Sequence, residues 1–127
     1  MYKEIVICTI IIIVIVTLDI FLQDYTKDAT VEIDGILSEI KLDIENSDNE
    51  KAKEQLKELE EKWKDKHDIL AYYIEHDELE KVDTAIVRVI NYVENNDIPS
   101  AIAELETGKF VLKHIEEKYK FNLQNIF

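Results

Sequence analysis

A handful of side chains could carry chemistry in a chain dominated by 28 acidic and 15 basic residues: His67, His76 and His114, the single arginine Arg88, the single cysteine Cys8, and Trp63. Zinc binding from a helix needs a second histidine four residues on, and a bundle di-iron site needs a glutamate three residues before its histidine. None of the three histidines meets either spacing. No metal or cofactor is therefore expected. Cys8 has no second cysteine to pair with, and it lies inside an apolar run. Ile7 stands before it, where a lipoprotein signal wants a small residue, so Cys8 reads as apolar filler. The carboxylates fall on the outer faces of helices, whereas paired acid–base catalysis needs a cleft. Gly35 and Gly108 are isolated, so no glycine-rich phosphate loop exists. The chain is not expected to be an enzyme.

Six positions are candidates for interaction or structural roles: Trp63, Tyr73, His76, Arg88, Gly108 and Phe127. Trp63 and Tyr73, with Tyr72, read first as core packing at helical spacing and second as an aromatic binding face. His76, between Glu75 and Asp77, is expected at a turn; nearby acid would raise its proton affinity if it sensed pH. Arg88 suits a bidentate carboxylate, but its place on a wet helix stripe favours an ordinary surface pair. Gly108 falls on an apolar seam, which implies close helix approach or room for a large ring, with Trp63 the candidate ring. Phe127 ends the stretch Tyr119–Phe127, expected to dock on the bundle or on a partner.

The elements that position these residues begin with Ile5–Leu22, IVICTIIIIVIVTLDIFL, which holds one charge, Asp19. At about 1.5 Å per residue this run covers roughly 27 Å as a helix, close to the hydrocarbon core of a bilayer. A cleaved signal would show small residues at its end, and LDIFLQDYTKD has no such pattern. A buried core helix would show a polar stripe, and Ile10–Val16 shows none. An uncleaved single-pass helix is the expectation. Lys3 and the amino group face Asp19, Asp24, Lys27 and Asp28 across it, which favours a cytoplasmic N-terminus with the bulk of the chain outside the cell membrane. Tyr25 is placed for the headgroup belt.

Beyond the run, two glycines and one proline cannot turn a β-sandwich or barrel, and apolar periodicity is helical throughout. Val31 or Ile33, Ile36/Leu37, Ile40 and Ile44 mark a first stripe. Asn46-Ser47-Asp48-Asn49 breaks it and caps a second helix with Ala52, Leu56, Leu59, Trp63, Leu70 and Tyr73/Ile74 on one face. Glu58–Lys62 and Glu60–Lys64 are acid-first pairs on its outside. Near Glu75-His76-Asp77 either a kink or a tight turn fits, with Asp77 as cap and Glu80 completing a capping-box-like pair. Leu79, Val82, Ala85/Ile86, Val89/Ile90 and Val93 make a third helix, apolar on all but one stripe. Asp97 caps a fourth, with Pro99 in its first turn and Ile98, Ile102, Leu105, Leu112 and Ile115 on a seam. The expected fold is all-α: a transmembrane helix followed by a small antiparallel bundle of three to four helices. The map is 1–4 flank, 5–22 transmembrane helix, 23–46 juxtamembrane helix and 47–127 acidic bundle with an apolar tail.

A net charge of −13 argues against nucleic acid, which selects basic patches. It also argues against a domain lying flat on anionic lipid.

From Trp63 the pattern EKWKDKHDILAYYIEHDELEKVDTAIVRVINYVENND, then SAIAELETGKFVLKHIEEKYKFNLQNIF, resembles a family of short bacterial membrane-anchored proteins known as domain of unknown function 4363. Trp63, His76, Glu78, Arg88, Leu112, His114 and Ile115 stand where that pattern has its Trp, His-x-Glu turn, Arg and Leu…His-Ile run. Gly108-Lys109-Phe110 departs from the family's usual Leu and Lys. The resemblance implies a single-pass protein of Gram-positive, often spore-forming, bacteria, and implies no reaction. The expected role is a membrane-anchored, non-enzymatic protein–protein interaction module. It is held in lipid by residues 5–22 and partnered by another membrane protein or a second copy. The alternative is a sensor-like helical ligand-binding module acting through a membrane partner, with a pocket lined by Trp63, Tyr73 and Gly108.

Overall fold

A computed structural model describes residues 1–120. Phe127 and most of the apolar tail lie outside the described residues. Four helices follow in order: α1 Tyr2–Glu45, α2 Asn49–Leu70, α3 His76–Glu94 and α4 Ile98–Lys120. The protein is all-α, a long apolar first helix followed by a helical bundle. Short connections make sequential helices antiparallel. α1 packs broadly on α2 and α4, and α3 broadly on α4. α2 and α3 touch much less.

α1 is continuous for 44 residues and has two characters. Its most apolar 18-residue window has mean hydropathy 3.1, and none of that window is buried. This helix is long and apolar enough to cross a membrane. From Thr26 to Ile44 the same helix is core, with Ala29, Ile33, Leu37, Ile40 and Ile44 at 0–3 % exposure. Residue 46 therefore separates two helices but not two packing units. Ile33 takes the inner position, while Val31 stays outside at 56 % exposure.

Two turns at the far end use one device. Ser47 (φ 59°) and Asn96 (φ 57°) adopt the left-handed conformation that ends a helix. The next residue's N–H returns to the carbonyl five positions back: Asp48 to Asp43 and Asp97 to Tyr92, both at 2.8 Å. Asp48 and Asp97 then cap the following helices, accepting from Lys51 N at 3.2 Å and Ser100 N at 3.3 Å.

At the near end, α2 stops at Leu70 and a turn over 71–75 leads into α3. The region is a turn and not a kink. Asp77 is not the cap expected of it. The helix begins two residues earlier, with Glu75 in the cap position and no side-chain cap bond. Asp77 and Glu78 occupy the first turn, where negative charge suits the helix dipole.

The core is one cluster drawn from all four helices, including Leu59, Leu79, Val82, Leu105, Leu112 and Ile115. Burying each such side chain stabilises the fold by about 1.5–3 kcal/mol. α3 touches two neighbours, as its apolar faces predict, but unequally.

Candidate interaction surfaces

Where α1 leaves the bundle, three segments are fastened together. Thr26 Oγ1 donates or accepts a 2.7 Å hydrogen bond with the Tyr73 hydroxyl and also bonds the Leu22 carbonyl at 2.7 Å. The Tyr73 hydroxyl itself lies 3.4 Å from Leu22 O. Burial pushes the Tyr73 hydroxyl pKa above its ordinary value, against the pull of the Thr26 bond. From α4, the Tyr119 hydroxyl accepts the Glu75 backbone N–H at 2.9 Å. The Tyr73 and Tyr119 rings meet edge to face at 6.4 Å. Lys118 reaches Glu75 at 3.4 Å. Tyr25 is partly buried against the core, with Lys66 Nζ 5.6 Å above its ring. Thus Tyr73 is a fastening residue, and its ring does not form part of an open aromatic face.

Trp63 is buried, and its indole N–H donates to Asp83 on α3 at 2.5 Å. His67 stacks on Trp63 edge to face at 5.9 Å and approaches the same carboxylate at 3.5 Å. Together these hold the sparse α2–α3 contact. Contrary to the expectation from sequence, Trp63 does not fill the space over Gly108. A Cβ at Gly108 would instead meet Leu37 Cδ1 at 3.4 Å and Ala85 Cβ at 3.6 Å. Gly108 marks the place where α4 approaches α1 and α3 together. Among the described residues, Trp63, Tyr73 and Gly108 each pack in a different interface rather than around one shared pocket.

His76 starts α3 and is open to solvent, its Nε2 3.9 Å from Glu80. Arg88 makes a single contact with Glu104 at 3.5 Å rather than a bidentate one. Lys62 pairs with Glu58 at 3.2 Å and also with Glu32 of α1 at 3.1 Å, while Lys66 reaches Glu32 at 3.2 Å. Hydrogen bonds from Lys62 and Lys66 hold the Glu32 carboxyl below the usual carboxylate range. The Glu60–Lys64 pair does not close among the described residues. Cys8 is exposed on the apolar half of α1.

Sequence reasoning did not single out Glu78, Val31 or Phe110 as sites. Glu78 is a buried carboxylate 3.7–3.9 Å from Lys81, His114 and Lys118, and its Oε2 has no hydrogen-bond partner among the described residues. It ties the start of α3 to α4. The described residues include two open grooves. One, of about 530 Å³, lies between α3 and α4 beside Lys81, Arg88 and Glu104. The other, of about 410 Å³, lies between α1 and α4 and is lined by apolar Val31, Phe110 and Leu112 and by charges of both signs, Asp34, Glu106 and Glu116 with Lys109 and Lys113. Phe110 is 73 % exposed, the most open large apolar side chain on α4. Its only sequence signal is its place off the apolar seam. Among the described residues, no group of three or more His, Cys, Asp or Glu could hold a metal ion.

A helix bare at one end and built into a four-helix bundle at the other, with grooved faces between its helices, defines a small all-α protein of helical-bundle type. The chain belongs to the family described as Domain of unknown function (DUF4363), whose model matches residues 20–126. That match covers the bundle and leaves out almost all of the exposed apolar run. No curated protein and no solved structure matches the chain.

Proposed function

We propose that this protein is a non-enzymatic, single-pass membrane protein that binds another membrane protein through the groove between α1 and α4. The observation that carries the reading is the pair Val31 and Phe110, 56 % and 73 % exposed, sharing one groove while the core closes without them. Exposed apolar side chains gathered in one groove with a charged rim are the usual mark of a protein contact. The bare half of α1 supports the membrane part. Ile10 to Ile15 are all more than half exposed, a surface that water does not tolerate and lipid does. Lys3 on one flank and Asp19, Asp24 and Asp28 on the other favour a cytoplasmic N-terminus and an external bundle.

Val31 stands nine residues beyond Leu22 on the same helix, roughly 14 Å along its axis. A partner must therefore offer its matching surface close to the bilayer, as another membrane protein does. Photocrosslinking from position 110 of the full chain in its own membrane tests this. The reading expects one stoichiometric membrane-embedded partner, lost in V31D and in F110D. Crosslinks only to a second copy of the chain, or none, would replace it.

A further inference from the structure

We propose that the bundle does not hang free of the membrane but stands end-on upon it, with the 71–75 turn and the exposed ring of Tyr72 seated in the lipid headgroup layer. This rests on the membrane reading of α1. It adds a second, separate contact between protein and lipid.

The argument is one of level. Leu22 closes the apolar run, and the Tyr73 hydroxyl lies 3.4 Å from its carbonyl. Thr26, the next bundle residue on α1, is bonded to the same hydroxyl. From Leu22 to Thr26 is about one helical turn, roughly 6 Å. The headgroup layer on each side of a bilayer is about 5–8 Å deep. α1 is unbroken here, so no flexible linker lifts the bundle away. α4 comes back to the same level: Tyr119 accepts from Glu75, and Lys120 lines a small cavity with Gln23 and Lys27. The turn and the end of α4 are thus the parts of the bundle nearest the hydrocarbon boundary.

The chemistry fits the place. Tyr72 is 90 % exposed, although its neighbour Tyr73 is fastened inward. Ile69, just before the turn, is 44 % exposed. Tyrosine favours the interface because its ring is apolar and its hydroxyl stays wet. Of six tyrosines, Tyr25, Tyr72, Tyr73 and Tyr119 belong to this end, and Tyr2 stands at the opposite end of the apolar run. The charged groups nearby are of both signs: Lys66 and Lys118 against Asp24, Asp68 and Glu75. The contact therefore needs no anionic lipid, and zwitterionic phosphatidylcholine suffices.

The test uses the full chain in phosphatidylcholine vesicles on a Cys8→Ser background, with an environment-sensitive fluorophore placed singly by Ile12→Cys, Tyr72→Cys or Ser47→Cys. Nitroxide lipids, labelled at the headgroup or deep in the chain, act as quenchers. The proposal expects deep quenching at position 12, headgroup quenching at 72 and none at 47, the far end of the bundle. Quenching at 12 without quenching at 72 overturns the end-on contact and leaves the anchor standing. Quenching at 47 as well means a bundle lying on its side and also overturns it. No quenching at 12 removes the anchor reading, and this proposal with it.

Discussion

The Tyr73 hydroxyl and Thr26 Oγ1, 47 residues apart in sequence, share a 2.7 Å hydrogen bond at the point where α1 leaves the bundle. This bond joins the α2–α3 turn to the helix that carries the apolar run. In Tyr73→Phe the ring stays and Thr26 keeps its bond to Leu22 O. No buried group is orphaned, so the loss is expected at about 0.5–1.5 kcal/mol. Chemical unfolding of the full chain in detergent, followed by circular dichroism, measures it. A cycle with Thr26→Val should show that the two losses are not additive.

Trp63 carries a second long-range tie. Trp63→Phe keeps most of the apolar contact but removes the indole N–H from Asp83. A hydrogen bond to a charged group contributes about 1.5–3 kcal/mol, and the Asp83 side chain is 42 % exposed, so the lower edge is expected. Trp63→Ala adds a cavity and should cost about 3–5 kcal/mol. The unfolding midpoint by circular dichroism separates the two.

The features legible in the sequence are those that depend on near neighbours. Asp97 caps its helix because the accepting oxygen and the free N–H lie three residues apart, and the same local rule narrows the α2 cap to Ser47, Asp48 or Asn49, of which Asp48 serves. The inner faces of α2 and α3 follow from apolar spacing. What could not be read depends on residues far apart in the chain. Asp77 has the chemistry of a cap, yet the helix starts at His76 because Tyr119, 44 residues on, takes up the Glu75 N–H. Gly108 announces close approach, but only the fold reveals that Leu37 and Ala85, not Trp63, are what it approaches. Val31 shares a stripe with Ile33 and Phe110 lies off the apolar seam, and neither pattern reveals the groove, because a groove between two helices is a property of their assembly.

The surface ion pairs give the fold a pH dependence of defined sign. Hydrogen bonds from Lys62 and Lys66 depress the Glu32 pKa, and one from Lys41 depresses that of Glu106. The unfolded chain takes up these protons first as pH falls. The contribution is therefore complete above the ordinary carboxylate pKa of about 4.3 and disappears as pH drops through the lower folded values. The same bonds raise the Lys41 and Lys62 pKa values, so their share persists up to the ordinary lysine range and is lost above it. Thermal midpoints measured between about pH 3 and pH 7 should fall on the acid side, and E32Q should flatten that limb. High salt should shrink the effect, since these pairs are exposed.

The two glycines differ in how much added bulk each can accept. Both lie inside helices, where glycine costs about 0.5–1 kcal/mol relative to alanine. A Cβ at Gly35 meets nothing within 4 Å, so Gly35→Ala should recover that full amount. At Gly108 an added Cβ lies 3.4 Å from the Leu37 terminal methyl and 3.6 Å from Ala85 Cβ. Those are ordinary contact distances, and the Leu37 methyl can give slightly, so Gly108→Ala should be neutral to mildly stabilising. Gly108→Leu must push α4 away from α1 and α3 and should cost about 1–3 kcal/mol. If Gly108→Leu unfolded at the wild-type midpoint, the three helices could not meet there as closely as these distances require.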